Sequence, residues 1–584
     1  MVKVTGRQGS AAIVRPATDP KFGDYQANGV MALAKKIKTN PHKLAESVVE
    51  QLDVGDICEP PEVAGPGFIN LRLKSSFVAD GLIQINADPQ GRLGMEETAE
   101  PKRIVVDFSC PNIAKQMHVG HLRSTIIGDC ICRTLEFLGH TVIRQNHIGD
   151  WGTQFGMLIK YVFDFRMASA FEGTTGQPLS ADMSVSDTEE LYRKAKEKYD
   201  SDADFARESR EWVVNLQNED GEAVSFWKSI VRASLVECQQ IYDILGITLK
   251  REDVRGESAY KDDLPKVVED LEKAGFTRQS DGAVCVFPPG FKNKEGQPLP
   301  FIIQKSDGAY LYATTDLAAL RYRVRELNAD KIVYVTDARQ SLHFAMLFAV
   351  ADMAGWNKRN GQNVELVHVA FGSVMGEDGK PLKTRAGENV KLKDLLDEAV
   401  ERAKVIVEEK NPDLPAAKKE EIAKAVGIGA VKYADFSNNR TSDYVFSFDK
   451  MLAMDGNTAP YMQYAYARIK SIERKAQSKD VDIQTELQAL KTLNLTEPAE
   501  LDLAKCLIRY SEAINAAIAD YRPNYLTSYL YELAQKFSVF YTNCPVLAAA
   551  PDKRPTRLLL CDLTAQTIKH GLHELLGIEV IEQM

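Results

Sequence analysis

Apolar residues along this chain keep two rhythms. In RIVVDFS (103–109) and HTVIRQNH (140–147) they crowd into short β-branched runs, and the same pattern returns in KIVYVTDA (331–338) and ELVHVAFGSV (365–374). Such runs predict buried strands. Between the first two, GHLRSTIIGDCICRTLEFLG (120–139) puts Leu122, Ile126, Ile127, Cys130, Ile131, Leu135 and Leu138 on a helical period that ends at Gly139. Strand, loop, helix, strand is a βαβ unit, and it predicts a parallel sheet.

Elsewhere the rhythm is different. DPKFGDYQANGVMALAKKIKTNPHKLAESVVEQL predicts two helices, and AGPGFINLRLK (64–74) a strand after a Gly-Pro-Gly turn. The turn-rich, charged stretch 88–103 reads as a linker. A polar, acidic, helical insertion at about 165–270 divides the strand-bearing region. Beyond about 390 the strands stop, and LKDLLDEAVERAKVIVEEK opens a run of helices that lasts almost to residue 584. The expected architecture is multidomain α/β plus all-α. A small N-terminal α/β domain (1–95) precedes a Rossmann-like parallel-sheet domain with its insertion (96–390), then a helical connector (391–457) and a helical C-terminal domain (458–584).

Composition narrows the function. A chain of 584 residues is too long for one core. Its net charge of −10 argues against a protein that coats DNA, but leaves room for a large RNA held by local basic patches and shape. No apolar run is long enough to span a bilayer, and the first residues carry no stretch of signal-peptide length. The nine cysteines are scattered, and Cys130 and Cys132 alone make a poor zinc site. The expectation is a cytoplasmic protein with reduced thiols, no structural metal and no membrane or DNA partner.

The chemistry gathers in CPNIAKQMHVGHLRST (110–125), where His118 and His121 bracket Gly120 at the junction of the first strand and its helix. Ligands of open parallel sheets bind at that edge, and a helix N-terminus favours anions. Imidazoles there can donate to phosphate oxygens, and Gly120 leaves room for a flat base to approach the backbone. Read alone, the motif could equally be two polar residues decorating a surface helix.

The longer string SCPNIAKQMHVGHLRSTIIGD, followed by NHIGDWGTQFG (146–156), resembles the class I aminoacyl-tRNA synthetases and, among them, the arginyl-tRNA synthetases. The similarity continues through GEDGKPLKTRAGENVKL (376–392), AVGIGAVKYADFSNNRTSDYVFSFDKML (425–452) and GNTAPYMQYAYARI (456–469). One departure is the start, which is short beside family members that carry further helix before FGDYQAN. Another lies in the family's lysine loop, commonly K-M-S-K. Here it reads Pro381-Leu382-Lys383-Thr384-Arg385, with Thr384 where the last lysine is usual. The resemblance implies that Lys115, just before the histidine motif, supplies the missing charge. What matters is a cation's distance from the developing negative charge, whichever loop delivers it.

The resemblance implies an enzyme that activates L-arginine with ATP and Mg²⁺ and transfers it to the terminal ribose of tRNA(Arg), with tRNA bound before activation and the protein a monomer. Catalytic candidates are Lys115, His118, His121 and Lys383, with Gly120, Thr384 and Arg385 also at ATP. A guanidinium has donors but no acceptor, so its pocket must offer carboxylates. The implied arginine ligands are Asp107, Ser109, Asn112, Tyr312, Asp316 and Gln340, although Asp107 could instead order its loop. Tyr312 and Asp316, four apart, share a helical face. For tRNA the candidates are Phe22 and Gln26 at the elbow, and Tyr464, Tyr541 and Met584 near the anticodon, in each case against an ordinary packing role. A glutamate enzyme would need basic residues where Asp107 and Asp316 stand, and a cysteine enzyme a zinc-ligand set that is missing. A catalytically silent paralogue would be expected to have lost a signature residue.

Overall fold

A computed structural model describes residues 2–5, 11–171, 185–217, 219–383 and 390–584, which form two compact units. The first joins residues 1–95 to 468–512 and 532–567. Its four-stranded antiparallel sheet runs in the order Val14–Pro16, Tyr25–Ala27, Phe68–Leu71, Glu62–Ala64. Helices Gly29–Ile37 and Pro41–Glu50 close it over a core of Val30, Leu33, Leu44, Ala45, Val48 and Ile69. Lys505 pairs with Asp24 at 2.9 Å and Tyr25 donates to Glu512 at 2.6 Å, tying this sheet to a helical segment almost five hundred residues on.

The second unit holds residues 96–467, 513–531 and 568–584. Its centre is a parallel sheet of β1 (Arg103–Asp107), β2 (Thr141–Gln145), β3 (Lys331–Asp337) and β4 (Glu365–Phe371) in the order β4-β3-β1-β2. All four strands lie where the apolar runs predict them. The first crossover helix, α1 (Val119–Phe137), stops before Gly139, whose φ of +89° an L side chain rarely adopts. The insertion contributes α2 (Gly221–Leu245); α3 (Tyr312–Arg325) leads into β3, and α4 (Ser341–Met353) leaves it.

Strand order reverses between β1 and β3, so a crevice opens at their carboxyl ends. Helix α3 runs antiparallel to the strand it feeds, which brings its first turn to that same edge. Sequence patterning missed a three-stranded antiparallel sheet, Thr277–Ser280, Ala283–Val286 and Phe301–Gln304. Its strands are four residues long, and the first reads TRQS, with no apolar alternation to reveal it. Among the described residues no helix is long and apolar enough to cross a membrane.

Candidate active site

His118 is the N-cap of α1, in extended backbone at φ −117°, ψ 171°. Its Nδ1 accepts the Gly120 N–H at 3.0 Å, while its own N–H donates to Nδ1 of His121 at 3.1 Å. Both rings therefore receive a proton donor at Nδ1, and in the neutral form both carry their own proton on Nε2. The rings lie 4.1 Å apart, centre to centre. Burial, and then the neighbouring His118, push His121 down to about 3, so it is a neutral donor at physiological pH. A Cβ on Gly120 would come within 2.7 Å of the His118 ring. The glycine thus makes room for the cap itself, a reason that sequence reasoning did not supply.

The two sides of the lysine loop are pinned by backbone. Ahead of it, Leu382 donates to the Val374 carbonyl at 3.1 Å. Behind it, Val119 donates to Val390 at 3.0 Å and Leu392 to Met117 at 2.9 Å, so the loop returns directly onto the histidine signature. Lys383 is exposed; Thr384 and Arg385 lie outside the described residues. The buried Arg123 of α1 pairs with Asp435 at 2.9 Å and donates to the carbonyls of Gly372 and Ser442 at 2.7 and 3.1 Å, steadying the segment that leads into the loop.

Asp316, in the first turns of α3, sits between two histidines. Nε2 of His343 is 2.6 Å from one carboxylate oxygen, and Nε2 of His147 is 3.8 Å from the other. The ring of Tyr312, 63% exposed, lies 4.9 Å from that of His343. Glu257, from the end of the insertion, is pushed up to about 8 by burial and then by the nearby carboxylates of Asp316 and Asp150. This is a local excess of negative charge that a bound cation would relieve. Gln340 is exposed at the end of a single turn after β3.

The strand-end loop is built differently. Asp107 is buried and its Oδ2 is 2.8 Å from Arg323, whose Nε donates to Gln145 at 2.8 Å. Ser109 is buried too, its hydroxyl 2.7 Å from Tyr242 and 2.9 Å from Thr125. Asn112 is exposed. The Lys115 ammonium lies 4.5 Å from the centre of the Tyr192 ring. Of the tRNA candidates, Phe22 is half-buried under Lys21 at 4.8 Å, and Gln26 donates to Asn70 at 2.9 Å across the sheet. Tyr464 is 37% exposed, Tyr541 lies 5.3 Å from the Arg468 guanidinium, and Met584 is half-buried.

Sequence reasoning passed over His147, Glu257, Arg323 and His343. His147 stands inside NHIGDWG and His343 three residues after Gln340, so both were within reach. Glu257 and Arg323 come from segments where nothing but the fold signals a role.

Comparison with known proteins fixes the class first. Residues 85–448 match the family model described as tRNA synthetases class I (R), catalytic domain. Residues 3–73 match the arginyl tRNA synthetase N terminal domain and 462–584 the DALR anticodon binding domain. The arginine--tRNA ligase of Chromobacterium violaceum is 48% identical over 579 residues, covering 99% of this chain and 97% of that protein. That of Synechococcus elongatus is 51% identical over 574 residues, covering 97% and 94%. The crystal structure of Plasmodium falciparum arginyl-tRNA synthetase superimposes with a TM-score of 0.83 at 32% identity, covering 100% of this chain and 97% of that one. Thermus thermophilus arginyl-tRNA synthetase gives 0.78 at 25%, covering 98% and 96%. The chain belongs to the arginyl-tRNA synthetase family, and its activity is that of the family: ATP-dependent ligation of arginine to tRNA.

Proposed function

We propose a division of labour within that reaction. The guanidinium of L-arginine docks against Asp316 and Glu257, with the Tyr312 ring beside it and His147 and His343 orienting the Asp316 carboxylate. Asn112 and Gln340 face the amino-acid backbone. Asp107 and Ser109 serve from beneath, by shaping the loop. Carboxylates facing a permanently charged plane also explain selectivity, because an uncharged analogue would leave them without a cation to offset their charge.

The arginine carboxylate attacks the α-phosphorus of ATP in line, giving arginyl-adenylate and pyrophosphate; the terminal ribose hydroxyl of tRNA then attacks the arginyl carbonyl, giving up its proton and displacing AMP. No protein nucleophile is needed; positioning and charge stabilisation suffice. The Nε2–H groups of His118 and His121 donate to phosphate oxygens. His121 stays neutral, so the positive charge at the phosphates is supplied by cationic side chains, Lys115 and Lys383 first, together with Mg²⁺ carried by ATP. Thr384 and Arg385 complete the loop at the phosphates. Residues 1–95 meet the tRNA elbow through Phe22 and Gln26, and 458–584 meet the anticodon through Tyr464, Tyr541 and Met584. The enzyme acts as a cytoplasmic monomer and requires tRNA before activation.

The observation that supports the pocket is the Asp316 carboxylate held between His343 and His147, with the half-buried Glu257 close enough to feel its charge. ATP–pyrophosphate exchange with each of the twenty amino acids, with and without total tRNA, tests the reading. Exchange with arginine alone, and only when tRNA is present, supports both substrate and coupling. Exchange without tRNA removes the coupling, and exchange with another amino acid removes the pocket assignment.

A further inference from the structure

The loop between β1 and the histidine signature is held in an unusual backbone. Ser109, Cys110 and Ala114 have φ of 72°, 48° and 71°, left-handed values that non-glycine residues avoid. Such conformations persist only where surroundings over-determine them. Here much of the hold comes from one helix. In α2, Ser234 accepts the Ala114 N–H at 3.1 Å. The Tyr242 hydroxyl is 2.7 Å from Ser109 Oγ and accepts from Asn146 at 3.0 Å, and Asn146 in turn accepts the Cys110 N–H at 3.1 Å. Trp227 donates to the Asp150 carbonyl at 2.7 Å, in the loop after β2.

Trp227, Ser234 and Tyr242 stand seven and eight residues apart, about two helical turns each time, and so share one face. Ser234 and Tyr242 are only 2% and 3% exposed. Ile113 and Ala114 pack with Ile230 of the same helix in one apolar cluster that keeps water from these bonds. The two left-handed ends of the segment, Ser109 and Ala114, are thus gripped at separate points, with Asn112 between them and Lys115 immediately after.

We infer that α2 of the insertion is a mould for the catalytic loop, and that Ser234 and Tyr242 are positioning residues for adenylate formation. They touch no substrate. They hold residues 109–114 in the strained form that sets Asn112, Lys115 and the start of the signature helix. The inference rests on the proposed reading of those residues.

A mutant cycle tests it, using ATP–pyrophosphate exchange in the full-length enzyme with arginine and total tRNA, normalised to folded protein. Ser234→Ala and Tyr242→Phe should each lower kcat about tenfold or more, because small misplacement of reacting groups is costly. The KM for arginine should stay within about threefold, since the guanidinium end is held by other elements. Glycine adopts a left-handed φ without strain. In an Ala114→Gly background the Ser234→Ala loss should therefore shrink to about threefold or less.

Equal fold losses in both backgrounds, or kcat within about twofold of wild type for both single variants, would overturn the mould. If Ser234→Ala fails to fold, Tyr242→Phe decides alone: lower kcat at unchanged KM supports the mould, and unchanged kcat ends it. A wild-type enzyme that does not exchange with arginine would instead defeat the proposed function, so the two failures are distinct.

Discussion

Two carboxylates of the crevice, Asp107 and Asp316, are both candidate arginine ligands by resemblance, with a loop-ordering role open for Asp107, and the fold surrounds them in opposite ways. Asp107 ends β1 with a side chain only 7% exposed and spends its charge on Arg323, itself 1% exposed. Asp316 keeps 21% of its side chain exposed and has two histidines for company. A carboxylate bound to a permanent internal cation has little left for a substrate. One propped by imidazoles keeps its charge available. Residue type and closeness to the signature motif do not separate these cases; burial and the chemistry of the nearest partner do.

Four experiments sharpen or break that contrast. The largest effect on activity belongs to Asp316→Ala, which should cut arginine-dependent exchange about a thousandfold, roughly 4 kcal/mol, while melting like wild type. Near-normal turnover would put the guanidinium elsewhere. Asp107→Ala should act on folding first, because it strands a buried Arg323. A loss of about 3–5 kcal/mol in urea denaturation is expected, much of it recovered when Arg323→Met is added. An Asp107→Ala enzyme of full stability but raised KM for arginine would erase the difference between the two sites.

Lys115→Ala should slow adenylate formation more than tenfold, for a lost charged contact of about 1.5–3 kcal/mol, with the KM for arginine unmoved. A wild-type rate in single-turnover assays would leave the charge to Lys383 alone.

The smallest effect is the pH response of Glu257, which faces Asp316 and Asp150. Its folded-state value of about 8 stands above the ordinary 4.5, so the folded protein holds a proton that the unfolded chain has released. The associated stability is complete below pH 4.5 and is lost as pH rises to about 8. A bound guanidinium would expel that proton. Arginine affinity should then climb with pH up to about 8, by at most about tenfold per unit. Calorimetry in buffers of different ionisation enthalpy reads the proton directly, and Glu257→Gln should flatten the profile.

The sequence alone settled the four sheet strands and the crossover helix with its stop at Gly139, and it located the histidine pair at the head of that helix. Each is a local matter: side-chain periodicity reports the buried face, and a ligand-binding motif keeps its spacing because one strand–turn–helix carries all of it. The tertiary structure decided which partners surround the named side chains. Asp107 is claimed by Arg323, more than two hundred residues away, and Ser109 by Tyr242 of the insertion. Glu257 owes its raised pKa to burial and to two carboxylates from other segments. Partners so distant in the chain leave no periodic trace, because desolvation and ion pairing depend on what the fold brings within a few ångströms.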